Sequence, residues 1–285
     1  MKKIIVIFLL LMIPVSSFSV NRWKYRQISR TTMKAYNRLF RSKVIKWETI
    51  GKSVWGQPIY YKVFGKGEKS ILIVGMIHGD EPAAGTVAVK LARRLAKMKN
   101  LGIRVVVIPY LNPDGLYLQT RTNVNKVDLN RNFPSPTWKK KPRKIYNYPG
   151  ETPASEPETR IVVDAIKKYN PALVIQTHQP FGKIYPDPYI PDDLSKKMSE
   201  IAKMPVAYDI GYECPGSMGS YTASFKGKHG MITYELGAID RIPPYTRIVD
   251  SIIFAINYMK NNDLKKYDKE IPYKELLKQS KMRKD

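Results

Sequence analysis

Apolar runs and turn residues alternate through the middle of the chain. IYYKVFG (59–65) predicts a strand that closes on a GKGEK turn. ILIVG (71–75), IRVVVIPYL (103–111), ALVIQTH (172–178) and GMITYEL (230–236) are nearly unbroken apolar runs, the pattern of strands buried on both faces. Between them, residues 83–99 carry helical periodicity and good helix formers. Residues 156–170 read as an amphipathic helix with acids in its first turn, where the helix dipole favours them. Residues 247–260 predict a last helix. Strands alternating with helices predict an α/β domain with helices on both faces of one sheet, spanning about 45–262.

The flanks read differently. Residues 1–19 pair Lys2 and Lys3 with an apolar run and end in Ser17-Phe18-Ser19, the pattern of a cleaved secretory signal peptide. Residues 20–44 form a basic lead-in with loose helical spacing between Trp23 and Phe40; the first acid of the chain is Glu48. Residues 263–285 read as a charged, solvated tail. A second basic cluster, KKKPRK (139–144), lies in a Pro-rich stretch and predicts an exposed loop.

The formal net charge is +25. Such a charge predicts either an anionic neighbour or substrate, or a lysine-rich composition that simply gives a solvated basic surface. Export argues against nucleic acid and turns attention to lipid head groups and peptidoglycan carboxylates, with an anionic envelope surface as a partner for the basic flanks. The single cysteine, Cys214, excludes an internal disulfide.

The ends of the apolar runs carry the candidate chemistry. His78 and Glu81 follow 71–75, NPDG (112–115) follows 103–111, His178 closes 172–178, and Glu235 closes 230–235. In open α/β sheets, ligands bind beyond the carboxyl ends of the strands. His78 and Glu81 stand about one turn apart, and His178 completes a two-histidine, one-carboxylate set with an open position, the pattern of a catalytic zinc site. Asp80 is expected to orient the loop or His78, and His229 to lie in a surface loop. A second polar stretch, RTNVNKVDLNRNFP (121–134), sets Asn130 and Arg131 between apolar Leu129 and Phe133, and arginine pairs with carboxylates bidentately.

GKSVWGQPI (51–59), GMIHGDE (75–81), NPDG, Arg121 with VDLNRNFP (127–134), PASEPETR (153–160), QTH (176–178), CPGSMGSY (214–221) and TYEL (233–236) occur in that order. Over about residues 45–260 the chain resembles the zinc carboxypeptidases of the carboxypeptidase A superfamily, and within them the murein peptide amidase branch. The resemblance implies a single-domain, mixed and mainly parallel twisted sheet. It implies one zinc ion held by His78, Glu81 and His178, and an oxyanion stabilised by Arg121. Asn130 and Arg131 would grip the free carboxylate of the leaving residue, and Glu235 would be general base and then general acid. Tyr212 stands where a mobile substrate-capping tyrosine is expected, with Tyr221 as its competitor.

The implied reaction is hydrolysis of the γ-D-glutamyl–meso-diaminopimelate bond of peptidoglycan stem peptides, in murein turnover or cell-shape control, by a monomer in the periplasm of a Gram-negative bacterium. The rival readings are a conventional peptide carboxypeptidase, a deacylase of the aspartoacylase and succinylglutamate desuccinylase type, and a non-catalytic peptidoglycan-binding module.

Overall fold

The structure is a computed structural model that describes residues 34–264, apart from residues 35, 42, 143, 226 and 227. The expected signal peptide, most of the basic lead-in and the charged tail lie outside the described residues. No described helix is long and apolar enough to cross a membrane.

Seven strands form one sheet: β1 (Glu48–Lys52), β2 (Pro58–Phe64), β3 (Ser70–Val74), β4 (Arg104–Ile108), β5 (Leu173–His178), β6 (Phe181–Pro186) and β7 (Gly230–Gly237), in the order β1-β2-β4-β3-β5-β7-β6. The four central strands β4, β3, β5 and β7 are parallel, and the flanking pairs are antiparallel. The mixed, mainly parallel sheet expected from the sequence is present. The principal helices are α1 (Pro82–Leu95), α2 (Pro113–Leu118), α3 (Pro157–Tyr169), α4 (Asp192–Ala202), α5 (Met218–Ala223) and α6 (Tyr245–Asn261).

The unbroken apolar runs have a direct cause. Successive strand residues point to opposite faces, and both faces are covered. Ile71, Ile73, Val105 and Val107 pack into one core with residues of α1, α4 and α6. Leu72, Val74, Val106 and Ile108 pack into the other with α3 and α5. A third cluster joins Tyr36 and Phe40 to Met76, Ala84, Tyr110 and Leu116. The Tyr36 hydroxyl donates to Pro58 O at 2.8 Å. The end of the basic lead-in therefore covers the core.

β1, β6 and α4 are absent from the sequence expectations. β1 and β6 lie at the sheet edges and are only partly buried, so neither shows a continuous apolar run. α4 buries Leu194, Met198 and Ala202, a helical spacing diluted by charged neighbours.

Candidate active site

The sheet brings its polar strand ends together. β5 and β7 pair in register so that His178 lies directly beside Glu235. His78 follows neighbouring β3, and Glu81 stands at the N-terminal boundary of α1 without a side-chain cap hydrogen bond. The sharp path between strand and helix needs a bare backbone: a Cβ on Gly79 would stand 1.9 Å from Gly115 C. Met76, fully buried just upstream, adopts a left-handed φ of 41°. Strained backbone of this kind persists where the surroundings hold it.

His78, Glu81 and His178 are all buried, and each offers a ligand atom within 4.8 Å of the others. Glu81 lies between the imidazoles, with Oε1 2.7 Å from His78 Nδ1 and Oε2 2.8 Å from His178 Nδ1. Burial opposes the charge on Glu81, yet the two histidines hold its carboxyl well below the usual range. On the far side of His78, Nε2 lies 3.1 Å from Asp128 Oδ1. If that nitrogen donates to Asp128, the Nδ1 lone pair of His78 faces a carboxylate oxygen. Two acceptors at such a distance need a proton or a cation between them. This donor set of two imidazoles and one carboxylate fits a zinc ion with an open position.

Asp128 was not singled out in the sequence, and it organises the site. It is completely buried. Oδ1 also accepts from Asn130 N at 3.0 Å, and Oδ2 accepts from Arg121 Nε at 3.0 Å and Asn147 Nδ2 at 3.0 Å. Against the cost of burial, His78 and Arg121 keep its carboxyl far below the usual carboxylate range. Asp80, the expected orienter, is exposed instead. Its position after Gly79 turns it outward, and Asp128 meets His78 from another loop.

Arg121 reaches inward, with Nη1 3.3 Å from His78 Nδ1 and 3.8 Å from Glu81 Oε1. Asn130 Nδ2 lies 3.3 Å from His178 Nε2, while its Oδ1 accepts from Met218 N at 3.0 Å. Arg131 is buried and donates to Asn130 O at 2.7 Å. Glu235 is buried, and its Oε2 finds no hydrogen-bond partner among the described residues. Burial, reinforced by the Glu81 charge, pushes its carboxyl up to about 8. An orphaned buried carboxylate oxygen beside a metal-binding group is aimed at something other than protein.

Arg121, Arg131 and Tyr212 line a cavity of about 420 Å³ whose outer wall includes Lys141, Lys144 and Phe181. This is within the range of small-molecule sites. Tyr221, the competitor of Tyr212, is buried in the core and packs edge-on to Phe225 at 5.1 Å. His229 is also buried: Nδ1 meets Pro171 O at 2.7 Å, so the imidazole serves the foot of β5 and does not occupy a surface loop.

A buried layer explains the remaining motifs. Asp114 of NPDG accepts from Ser53 Oγ at 2.7 Å and Trp55 N at 2.9 Å. Glu158 accepts from Val54 N at 3.1 Å and Asn123 Nδ2 at 3.2 Å, and Glu156 accepts from Asn123 Nδ2 at 2.7 Å and Asn125 Nδ2 at 2.9 Å. These acids fasten the β1–β2 turn and the loop that carries Arg121 and Asp128.

The family model for zinc carboxypeptidases matches residues 33–186. The chain belongs to the zinc carboxypeptidase family. This carboxypeptidase is a metallopeptidase, a hydrolase. It is 34% identical over 188 residues to murein peptide amidase A of Escherichia coli strain K12, covering 62% of this chain and 76% of that protein. It is 31% identical over 184 residues to murein peptide amidase A of Vibrio campbellii, covering 60% of this chain and 72% of that one. Among solved structures, murein-tripeptide amidase MpaA of Escherichia coli O157 superposes with a TM-score of 0.59 at 28% identity, over 79% of this chain and 93% of that chain.

Proposed function

We propose that this carboxypeptidase hydrolyses the γ-D-glutamyl–meso-diaminopimelate bond of peptidoglycan stem peptides, after export to the periplasm. The observation that carries the substrate is the 34% identity to a murein peptide amidase A over 188 residues. The site chemistry supports it. His78, Glu81 and His178 would hold zinc, which supplies a Lewis acid that polarises the scissile carbonyl and acidifies water.

The chain's own groups do the rest. Glu235 takes a proton from the attacking water at its unpartnered Oε2 and returns it to the leaving amine nitrogen. Arg121, held through Nε by Asp128 and pointing Nη1 at the metal-binding group, donates to the carbonyl oxygen as it gains charge. Asn130 and Arg131 hold the free carboxylate of the leaving residue. Tyr212, on the cavity wall, covers the bound peptide.

The test is incubation of the zinc-loaded chain from Val20 onward, beside a Glu235→Gln variant, with L-Ala-γ-D-Glu-meso-diaminopimelate. Release of diaminopimelate, followed by mass spectrometry, is expected from the wild type only. An intact peptide after incubation with folded, zinc-bound wild type would reject this substrate in favour of ordinary peptide C-termini.

A further inference from the structure

The lysines of the loop at 139–144 are not equivalent. Lys139 pairs with Glu213 at 3.2 Å and Lys140 with Glu151 at 3.3 Å. Lys141 and Lys144 have no ion-pair partner among the described residues, and both line the cavity shared with Arg121 and Arg131. Lys144 Nζ lies 5.5 Å from the centre of the Tyr146 ring, itself on the cavity wall. Among the described residues, the one acid on this wall is Glu213, and it is already engaged by Lys139. The mouth of the site therefore carries two uncompensated cations in addition to the arginines. Charges of one sign at a concave, low-dielectric wall focus their field on what enters.

One terminal carboxylate is enough to occupy Asn130 and Arg131, which leaves two further cations on the cavity wall able to take further anions. We infer that Lys141 and Lys144 form a second carboxylate-binding rim, which selects peptides carrying another carboxylate within reach of the scissile bond. This rests on the stem-peptide reading above for its natural ligand. In such a peptide the D-glutamyl residue is linked through its side chain and keeps a free α-carboxylate, and diaminopimelate has a second carboxylate at its far end. An ordinary C-terminal peptide with neutral side chains offers neither.

The test is binding, separate from turnover. Calorimetry gives the Kd of L-Ala-γ-D-Glu-meso-diaminopimelate for the zinc-loaded Glu235→Gln protein, with and without Lys141→Gln and Lys144→Gln together. The same peptide with the D-glutamyl carboxylate as a carboxamide, and one with lysine in place of diaminopimelate, are measured alongside. Removing two partly exposed ion pairs is expected to weaken binding of the full peptide roughly three- to tenfold. The loss should shrink to less than about twofold for at least one analogue and fade as salt rises. Lys140→Gln, which removes one charge from the same loop outside the cavity, should leave all three Kd values in place. No measurable binding, no loss, an equal loss on all three peptides, or the same loss from Lys140→Gln would overturn the rim. Lysine-dependent binding without cleavage by the wild type would reject the proposed reaction and leave the rim standing. Cleavage with lysine-independent binding would do the reverse.

Discussion

Replacing Asp128 by asparagine tests the site at its centre. One buried carboxylate accepts from His78, Arg121, Asn130 and Asn147. Asparagine preserves the shape, removes the charge, and turns one acceptor atom into a donor. If the amide oxygen stays toward His78 and Asn130 N, its NH₂ group opposes the Arg121 and Asn147 donors; if it flips, it opposes His78 and Asn130 N. A hydrogen bond to a charged group contributes about 1.5–3 kcal/mol. Loss of the His78 contact should therefore weaken zinc binding by about 10- to 100-fold, the range seen when partners of metal-binding histidines are removed. Competition against a fluorescent chelator reads this directly, without substrate. Activity of the zinc-saturated variant should fall further, because Arg121 loses its anchor at 3.0 Å. A folded Asp128→Asn protein whose chelator midpoint moves less than about threefold would show that Asp128 does not orient the metal-binding group.

Three other outcomes are expected. Glu235→Gln should lower kcat by at least about 100-fold while zinc stoichiometry, read by atomic absorption, stays at one, since Glu235 is outside the ligand group. Tyr212→Ala should raise KM with little loss of stability, whereas Tyr221→Ala, in the core, should lower unfolding free energy by about 3–5 kcal/mol in urea titrations and leave KM of the folded fraction in place. Burial raises Glu158 from its ordinary 4.5 to about 7, so the folded state holds its proton more tightly and stability falls as pH rises between those values. That contribution is roughly 3 kcal/mol, and Glu158→Gln should flatten the urea midpoint over this window; parallel curves for the two proteins would refute the assignment.

The legible parts of the fold were those whose chemistry repeats along the chain. β3, β4, β5 and β7 are buried on both faces, so each reads as an apolar run, and a histidine or acid at its end stands out against that background. This is why His78, Glu81, His178 and Glu235 are legible as candidates in the sequence. β1 and β6 carry the mixed pattern of edge strands. α4 did hold a signal, in the four-residue spacing of Leu194, Met198 and Ala202. Asp128 lies inside the VDLNRNFP motif, where Asn130 and Arg131 drew the attention; its own importance comes from a contact with His78 across 50 positions of chain. His229 was misread for the same reason: flanking Lys228 and Gly230 look like a surface turn, while the Pro171 carbonyl that buries the ring is 58 positions away.

The ordered motifs divide into two connected tiers, and the division explains why so many acids are buried in a strongly basic protein. The inner tier is His78, Glu81, His178, Arg121, Asn130 and Glu235, the groups that face the cavity or the metal-binding position. The outer tier is Asp114, Glu156 and Glu158, which accept from Ser53, backbone Val54 and Trp55, and Asn123 and Asn125. Asp128 joins the tiers, because the loop fastened at Asn123 and Asn125 is the loop that presents Arg121 and Asp128. Buried carboxylates are costly without partners, and Asp114, Glu156, Glu158 and Asp128 each have at least two hydrogen-bond donors. A loop held this way gives Arg121 a fixed position without a helix or strand beneath it. The lysine rim has no such support: its residues are exposed, and the one described contact of its side chains is that of Lys144 with an aromatic face. Rigid placement is concentrated where charge develops during the reaction. Looser cations stand at the mouth, where attraction of an anionic peptide requires sign more than geometry.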